Sequence, residues 1–166
     1  RRLEIWVLLL ISVIPREMLL ACGRMLKEMM KVKRIKTKAI KQSVFFKSSP
    51  AEVYEALMDS KKHSKFTGSK AMVSRKVGGK FSVFGGGLYG KNTALSKNKK
   101  IVQQWACEMK GWPKGHYSKA TFSLKKAGKG TKLTFLQAGV PAACYKSISD
   151  GWHRYYWKNM KKAFEW

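Results

Sequence analysis

The chain has 166 residues, with 35 Lys and Arg against 9 Asp and Glu, a formal net charge of +26. That length fits one domain of roughly 100–200 residues, and 45% apolar residues with 12% aromatics exclude a purely disordered polycation, which would be poor in Trp, Phe and Tyr. The charge implies an acidic partner, an anionic surface or a solvated lysine shell. With 28 Lys to 7 Arg, the balance runs against nucleic-acid reading, for which Arg is the preferred residue.

The first stretch differs from the rest. Residues 5–14 (IWVLLLISVI) are apolar except Ser12, follow Arg1 and Arg2, and end at Pro15-Arg16-Glu17. Ten helical residues span about 15 Å, half of a hydrocarbon core of about 30 Å, so no membrane span is expected. A secretory signal is disfavoured by the Pro15, Arg16 and Glu17 between the apolar run and Cys22. Residues 1–34 are therefore set aside as a leader or non-domain segment, and residues 35–166 are taken as the domain. Residues 1–35 carry 8 basic and 3 acidic residues, so the polycation belongs to the remainder.

From residue 36 to 46 a loose alternation predicts an edge-like first strand. Ser49-Pro50-Ala51-Glu52 then opens a helix with a serine cap, proline at the first position and an acid in the first turn. Asp59-Ser60 starts a second short helix that ends at Thr67-Gly68. Strands follow at 71–76, 80–84, 88–95, 100–109, 117–125 and 131–138, joined by short glycine-rich links, which predicts an antiparallel meander. From Pro141, Ile148, Trp152, Tyr155, Tyr156, Met160, Ala163 and Phe164 recur at helical spacing, so a long amphipathic helix closes the chain. The order predicts an α+β fold in which a curved antiparallel sheet wraps around that helix.

Little in the pattern points to catalysis. Gly85-Gly86-Gly87-Leu88-Tyr89-Gly90-Lys91-Asn92 approaches a phosphate loop, but Asn92 replaces the magnesium-binding hydroxyl and strand-like sequence flanks it on both sides. Cys22, Cys107 and Cys144 give neither a disulfide framework nor metal spacing, and a reducing compartment follows. His63, His116 and His153 show no paired ligand spacing. No cofactor, metal or catalytic residue is expected. The aromatic set is more informative: Phe66, Phe81, Phe84, Trp105, Phe122, Phe135, Trp152 and Tyr156 form a core or line an apolar cavity between sheet and helix.

Several motifs together resemble one family. Gly111-Trp112-Pro113-Lys114-Gly115-His116-Tyr117-Ser118 is similar to the WPxGH(Y/F) segment of the activator of heat-shock-protein-90 ATPase homologue family. Gly130-Thr131-Lys132-Leu133, Gly139-Val140-Pro141 and Gly151-Trp152-His153-Arg154-Tyr155-Tyr156 resemble its later segments. Ser49-Pro50-Ala51-Glu52-Val53-Tyr54, Gly78-Gly79-Lys80-Phe81 and Ile101-Val102-Gln103-Gln104-Trp105 fall upstream in the right order. The resemblance implies a START-like helix-grip fold over about residues 36–166 and a non-catalytic, cytoplasmic co-chaperone-type domain. Its implied partner is a heat-shock-protein-90-type chaperone, whose ATPase it binds to and modulates. Trp112, Lys114, His116 and Arg154 are the implied contact residues, although Trp112 also fits a plug at the cavity mouth and Arg154 a carboxylate pair. The alternative is a stand-alone module holding an apolar, lipid-like small molecule between sheet and helix. The family's separate amino-terminal domain, marked by an NxNNWHW-type motif, has no match in these residues.

Overall fold

The computed structural model describes residues 15–30 and 34–165, and the chain divides into two units, Arg1–Ile35 and Lys36–Trp166. The apolar run at 5–14 lies outside the described residues. In the first unit a helix, α1 (Arg16–Met30), opens where the Pro15 carbonyl accepts from the Met18 and Leu19 amides at 2.9 and 3.2 Å. This helix lies in the segment 1–34, which the sequence sets apart as a leader or non-domain segment. Its Arg, Met, Leu, Ala and Lys are strong helix formers, and a proline is tolerated at a helix start. No helix among the described residues is long and apolar enough to cross a membrane.

The second unit begins with β1 (Thr37–Phe46), followed by α2 (Pro50–Met58) and α3 (Ser60–Thr67). The Ser49 side chain accepts from the Glu52 amide while Glu52 returns to the Ser49 amide, a complete capping box. Asp59 ends α2 and caps α3, its carboxylate accepting from the Lys62 amide at 2.9 Å. Gly68, at φ +70°, ends α3 in the left-handed conformation that glycine adopts most readily.

Six more strands follow: β2 (Met72–Val73), β3 (Lys80–Val83), β4 (Leu88–Ser96), β5 (Lys100–Cys107), β6 (Ser118–Ala127) and β7 (Gly130–Pro141). They form one antiparallel sheet in the order β1-β7-β6-β5-β4-β3-β2. The meander is as expected, and β1 closes onto the far edge of β7.

Several strand ends differ from the sequence expectation, β5 stopping at Cys107 and β6 and β7 running on to Ala127 and Pro141, and three further differences have a visible cause. The strand at 71–76 is only Met72–Val73, because the Asn92 side-chain amide donates to the carbonyls of Ser74 (2.6 Å) and Lys76 (3.1 Å), groups a longer ladder would need. The strand at 80–84 stops at Val83, since Phe84 turns to φ +52°. The last helix starts at Tyr145 rather than Pro141, which is the last residue of β7.

That closing helix, α4, runs through residues 145–164 as Tyr145–Gly151, a π-helical stretch Trp152–Trp157 and Lys158–Phe164. It packs on the inner sheet face, where Ile40, Phe46, Phe122, Leu133, Phe135, Trp152 and Met160 are buried. Each large side chain so buried contributes about 1.5–3 kcal/mol relative to exposure. The architecture is the START-like helix grip.

Candidate functional site

The π-helical stretch decides which side chains of α4 enter the core. The Lys158 amide donates to the His153 carbonyl five residues back, so residues five apart stack on one face. Trp152 and Trp157 accordingly lie with ring centroids 5.5 Å apart and planes 20° apart. Plain α spacing predicted Tyr155 on the buried face. Instead Trp157 is buried, and Tyr155 is half-exposed.

Three aromatic groups then anchor α4. The Trp152 indole donates to Gln137 Oε1 on β7 at 2.8 Å, and the Trp157 indole to Gln42 Oε1 on β1 at 2.6 Å. The Tyr156 hydroxyl meets His63 Nε2 on α3 at 3.1 Å. His63 Nδ1 faces the Leu57 carbonyl at 3.0 Å, so it carries the proton and Nε2 accepts from Tyr156. Burial holds the His63 imidazole below the usual histidine range, more than offsetting the Leu57 bond that favours its charged form. Gln42 and Gln137 were missed as site residues. Their signal was strand parity: each falls among inward-facing apolar residues, Ile40 and Val44 for one, Leu133 and Phe135 for the other.

Beside these anchors the first half of α4 stands off the sheet and leaves an apolar cleft of about 320 Å³. Ile148, Gly151, Trp152, Tyr155 and Tyr156 form its helical wall; Phe84, Leu88, Trp105, Cys107 and Met109 form the opposite one. Phe84 reaches it from a left-handed backbone that a bulky residue rarely adopts, and packs edge-on against Tyr155 and Tyr156 at about 6 Å. Gly151 opens the wall: a Cβ there would meet nothing nearer than the Tyr155 ring at 3.8 Å.

Of the eight aromatics expected to line a cavity, Phe84, Trp105, Trp152 and Tyr156 do line this cleft. Phe122 and Phe135 lie beneath Trp152 as packing, with centroids 5.7 and 4.4 Å from its ring. Phe81 is buried on β3, and Phe66 meets Tyr156 edge-on at 5.6 Å. Cys107, Met109, Ile148 and Tyr155 were not foreseen as lining. Burial, then Cys144 and Glu108, push the Cys107 thiol up to about 12, and burial raises the Tyr156 phenol above its ordinary range. Both stay protonated at neutral pH, so what these groups offer a guest is apolar contact.

The motif loop between β5 and β6 is fastened from within. Trp112 packs edge-on against Trp105 at 5.4 Å and donates its indole N–H to the His116 carbonyl at 2.9 Å. His116 Nε2 in turn lies 2.7 Å from the Gly139 carbonyl on β7. The structure therefore brings Trp112 and His116 together as a clasp, with Lys114 exposed at its tip. Arg154 is exposed on α4, and no hydrogen bond joins it to this loop among the described residues. In the glycine-rich stretch at 85–92, Gly85, Gly86 and Gly87 lie in the turn between β3 and β4 while residues 88–92 open β4, and Asn92 is a buried strand residue bonded by Gln103 at 3.0 Å. Among the described residues no three His, Cys, Asp or Glu side chains gather to hold a metal.

Comparison with known proteins follows the same line. Residues 47–165 match the family model described as activator of Hsp90 ATPase homolog 1-like protein. The chain is 33% identical over 135 residues to an activator of 90 kDa heat shock protein ATPase homolog from Dictyostelium discoideum, covering 81% of this chain and 35% of that protein. It is 32% identical over 119 residues to the human activator homolog 1, covering 72% and 35%. The chain thus spans about a third of the length of these curated relatives. A crystal structure of an HSP90 activator from Plasmodium falciparum superposes with a TM-score of 0.70 at 26% identity, over 75% of this chain and 94% of that one.

Proposed function

This chain belongs to the activator of Hsp90 ATPase homolog 1-like family, and from that membership we propose that residues 35–166 form a non-catalytic co-chaperone domain. It docks on an Hsp90-type chaperone and modulates its ATPase. The observation that carries this reading is the family match through residues 47–165, which takes in nearly the whole folded domain. Within the motif segments, Trp112 and His116 hold the loop in shape, while exposed Lys114 and Arg154 make the contact. The basic surface speeds and orients encounter with an acidic partner. The domain works in the cytoplasm, where the free cysteines Cys22, Cys107 and Cys144 stay reduced. Mixing the purified chain with a purified Hsp90-type chaperone at low salt tests this: co-precipitation with a changed ATPase rate is expected, and the absence of both would sink the reading.

A second reading is favoured by the cleft. Its volume of about 320 Å³ lies at the lower end of small-ligand sites, and Gly151 keeps it open at a cost to helix stability. On this reading an apolar, lipid-like molecule sits between α4 and the β3–β4 turn. Medium-chain fatty acids offered to the pure chain should raise its melting temperature, and a chain that gains no stability from any of them holds no such ligand.

A further inference from the structure

The sheet face turned away from α4 has a one-sided charge pattern. Every charged residue in the seven strands is a lysine; Asp and Glu of the second unit lie on helices and loops. At one end of this face Lys80, Lys91, Gln104 and Lys119 are direct cross-strand neighbours on β3, β4, β5 and β6. With adjacent strands about 4.8 Å apart, the row spans roughly 14 Å. Lys80 opposes Lys91 directly, an arrangement that costs the sheet stability because like charges repel across a strand pair.

Beside that row Tyr89 and Tyr117 meet edge-on at 6.4 Å and close over Ala106, which is 1% exposed although it points to the outer face. A shallow depression beside them is lined by Met72, Lys80, Tyr89, Lys91, Gln104 and Tyr117. A row of lysines that make no ion pair among the described residues, an apolar and aromatic floor beside Glu108 and a donor amide make a surface complementary to carboxylates on an apolar ground. The two rings are engaged edge to face with each other, so they present no open stacking platform of the kind single-stranded nucleic acid requires. The cations are lysines, which do not offer the bidentate fork used for phosphate and base recognition.

We propose that this end of the outer sheet face, centred on Lys80, Lys91, Lys119, Tyr89 and Tyr117, is a docking surface for a protein surface rich in Asp and Glu. For the identity of the partner it rests on the co-chaperone reading. It adds residues of the outer sheet face to Lys114 and Arg154, with Tyr117 three positions along the chain from Lys114.

The test uses the full chain, the K80Q/K91Q/K119Q variant and an equally neutralised control, K158Q/K161Q/K162Q, whose lysines are exposed on α4. Each is titrated with a poly-glutamate peptide, a single-stranded oligonucleotide of equal charge and the purified chaperone. The sheet variant should bind poly-glutamate and chaperone about tenfold more weakly, the sum expected of three exposed charge contacts, and the control less than about twofold more weakly. The sheet variant should melt no lower than the parent, because the Lys80–Lys91 repulsion is relieved, which separates lost binding from lost fold. Equal losses in both variants, or full binding by the sheet variant, would overturn the proposal. Tighter binding of the oligonucleotide than of poly-glutamate would overturn the class of partner. Poly-glutamate bound through the three lysines with no chaperone binding supports the surface while removing the chaperone as its partner.

Discussion

The Trp152 indole donates its one hydrogen bond to Gln137 in the middle of β7, and Gln137 passes its own amide proton to Ser118 at 2.9 Å. Ser118 in turn donates to the Trp105 carbonyl at 3.1 Å. Helix and sheet are thus joined by a buried polar chain running beneath the cleft, and every member is satisfied. Such a chain specifies one seating of α4, because any shift strands an indole N–H or an amide in an apolar core.

Gln137→Leu is expected to lower stability by about 1–3 kcal/mol, the usual cost of leaving a buried donor without a partner. Trp152 and Ser118 both lose an acceptor or donor, and the leucine fills much of the vacated volume. Chemical denaturation measures the change. A loss below about 0.5 kcal/mol would mean water replaces the amide.

Gly90→Ala is expected to cost more than about 3 kcal/mol or to prevent folding. A Cβ at Gly90 collides with the Gln104 carbonyl oxygen and lies 2.9 Å from the Phe81 ring. Gly68→Ala makes the comparison: no atom lies within 4 Å of its Cβ, and only the left-handed φ of +70° is strained, for about 1 kcal/mol. The two melting temperatures should therefore separate clearly, and similar values would contradict the packing described at Gly90.

Stability should fall on mild acidification through His63. Because burial depresses its folded pKa, the unfolded chain binds a proton near pH 6.5 that the folded chain refuses until lower pH. The contribution of His63 is therefore fully present above about pH 6.5 and is lost as pH falls toward the folded value. His63→Gln, which keeps a hydrogen-bonding side chain without a titrating ring, should flatten the stability profile below neutrality. An unchanged slope would show that His63 does not titrate in that window.

Gly151→Ala should stabilise the domain by about 0.5–1 kcal/mol, since glycine inside a helix is costly and the added methyl meets nothing nearer than the Tyr155 ring at 3.8 Å, an ordinary van der Waals contact. The bulkier Gly151→Leu should fill the cleft and abolish any thermal shift produced by a fatty acid. Ligand-induced stabilisation that survives Gly151→Leu would place the ligand elsewhere.

Much of this architecture was legible from local chemistry. Ser49, Pro50 and Glu52 announce the start of α2, and Gly68 the end of α3, because caps and turns depend on neighbours a few residues apart. The strand expected at 117–125 was legible for the same reason, and β6 buries Ala120, Phe122 and Leu124 on its inner face. What depended on distant residues was not legible. The shortness of β2 is set by Asn92, eighteen residues beyond Ser74. The exchange of Tyr155 for Trp157 on the buried face follows from a π turn that three- and four-residue spacing does not encode. The cleft arises where α4 stands away from β5, and Phe122 and Phe135, two of the aromatics expected to line it, were needed instead to fill the core beneath Trp152. Trp112 and His116 stood out as motif residues, yet their mutual hydrogen bond, and hence their role in shaping the loop around Lys114, is visible only in three dimensions.

The central claim, docking on an Hsp90-type chaperone, is tested most directly by a calorimetric titration of the purified chain into purified chaperone at low salt and again at about 0.3 M salt, where the Debye length falls well below 10 Å. Saturable binding that weakens markedly at the higher salt is the predicted result. Absence of heat and of complex at low salt would contradict it.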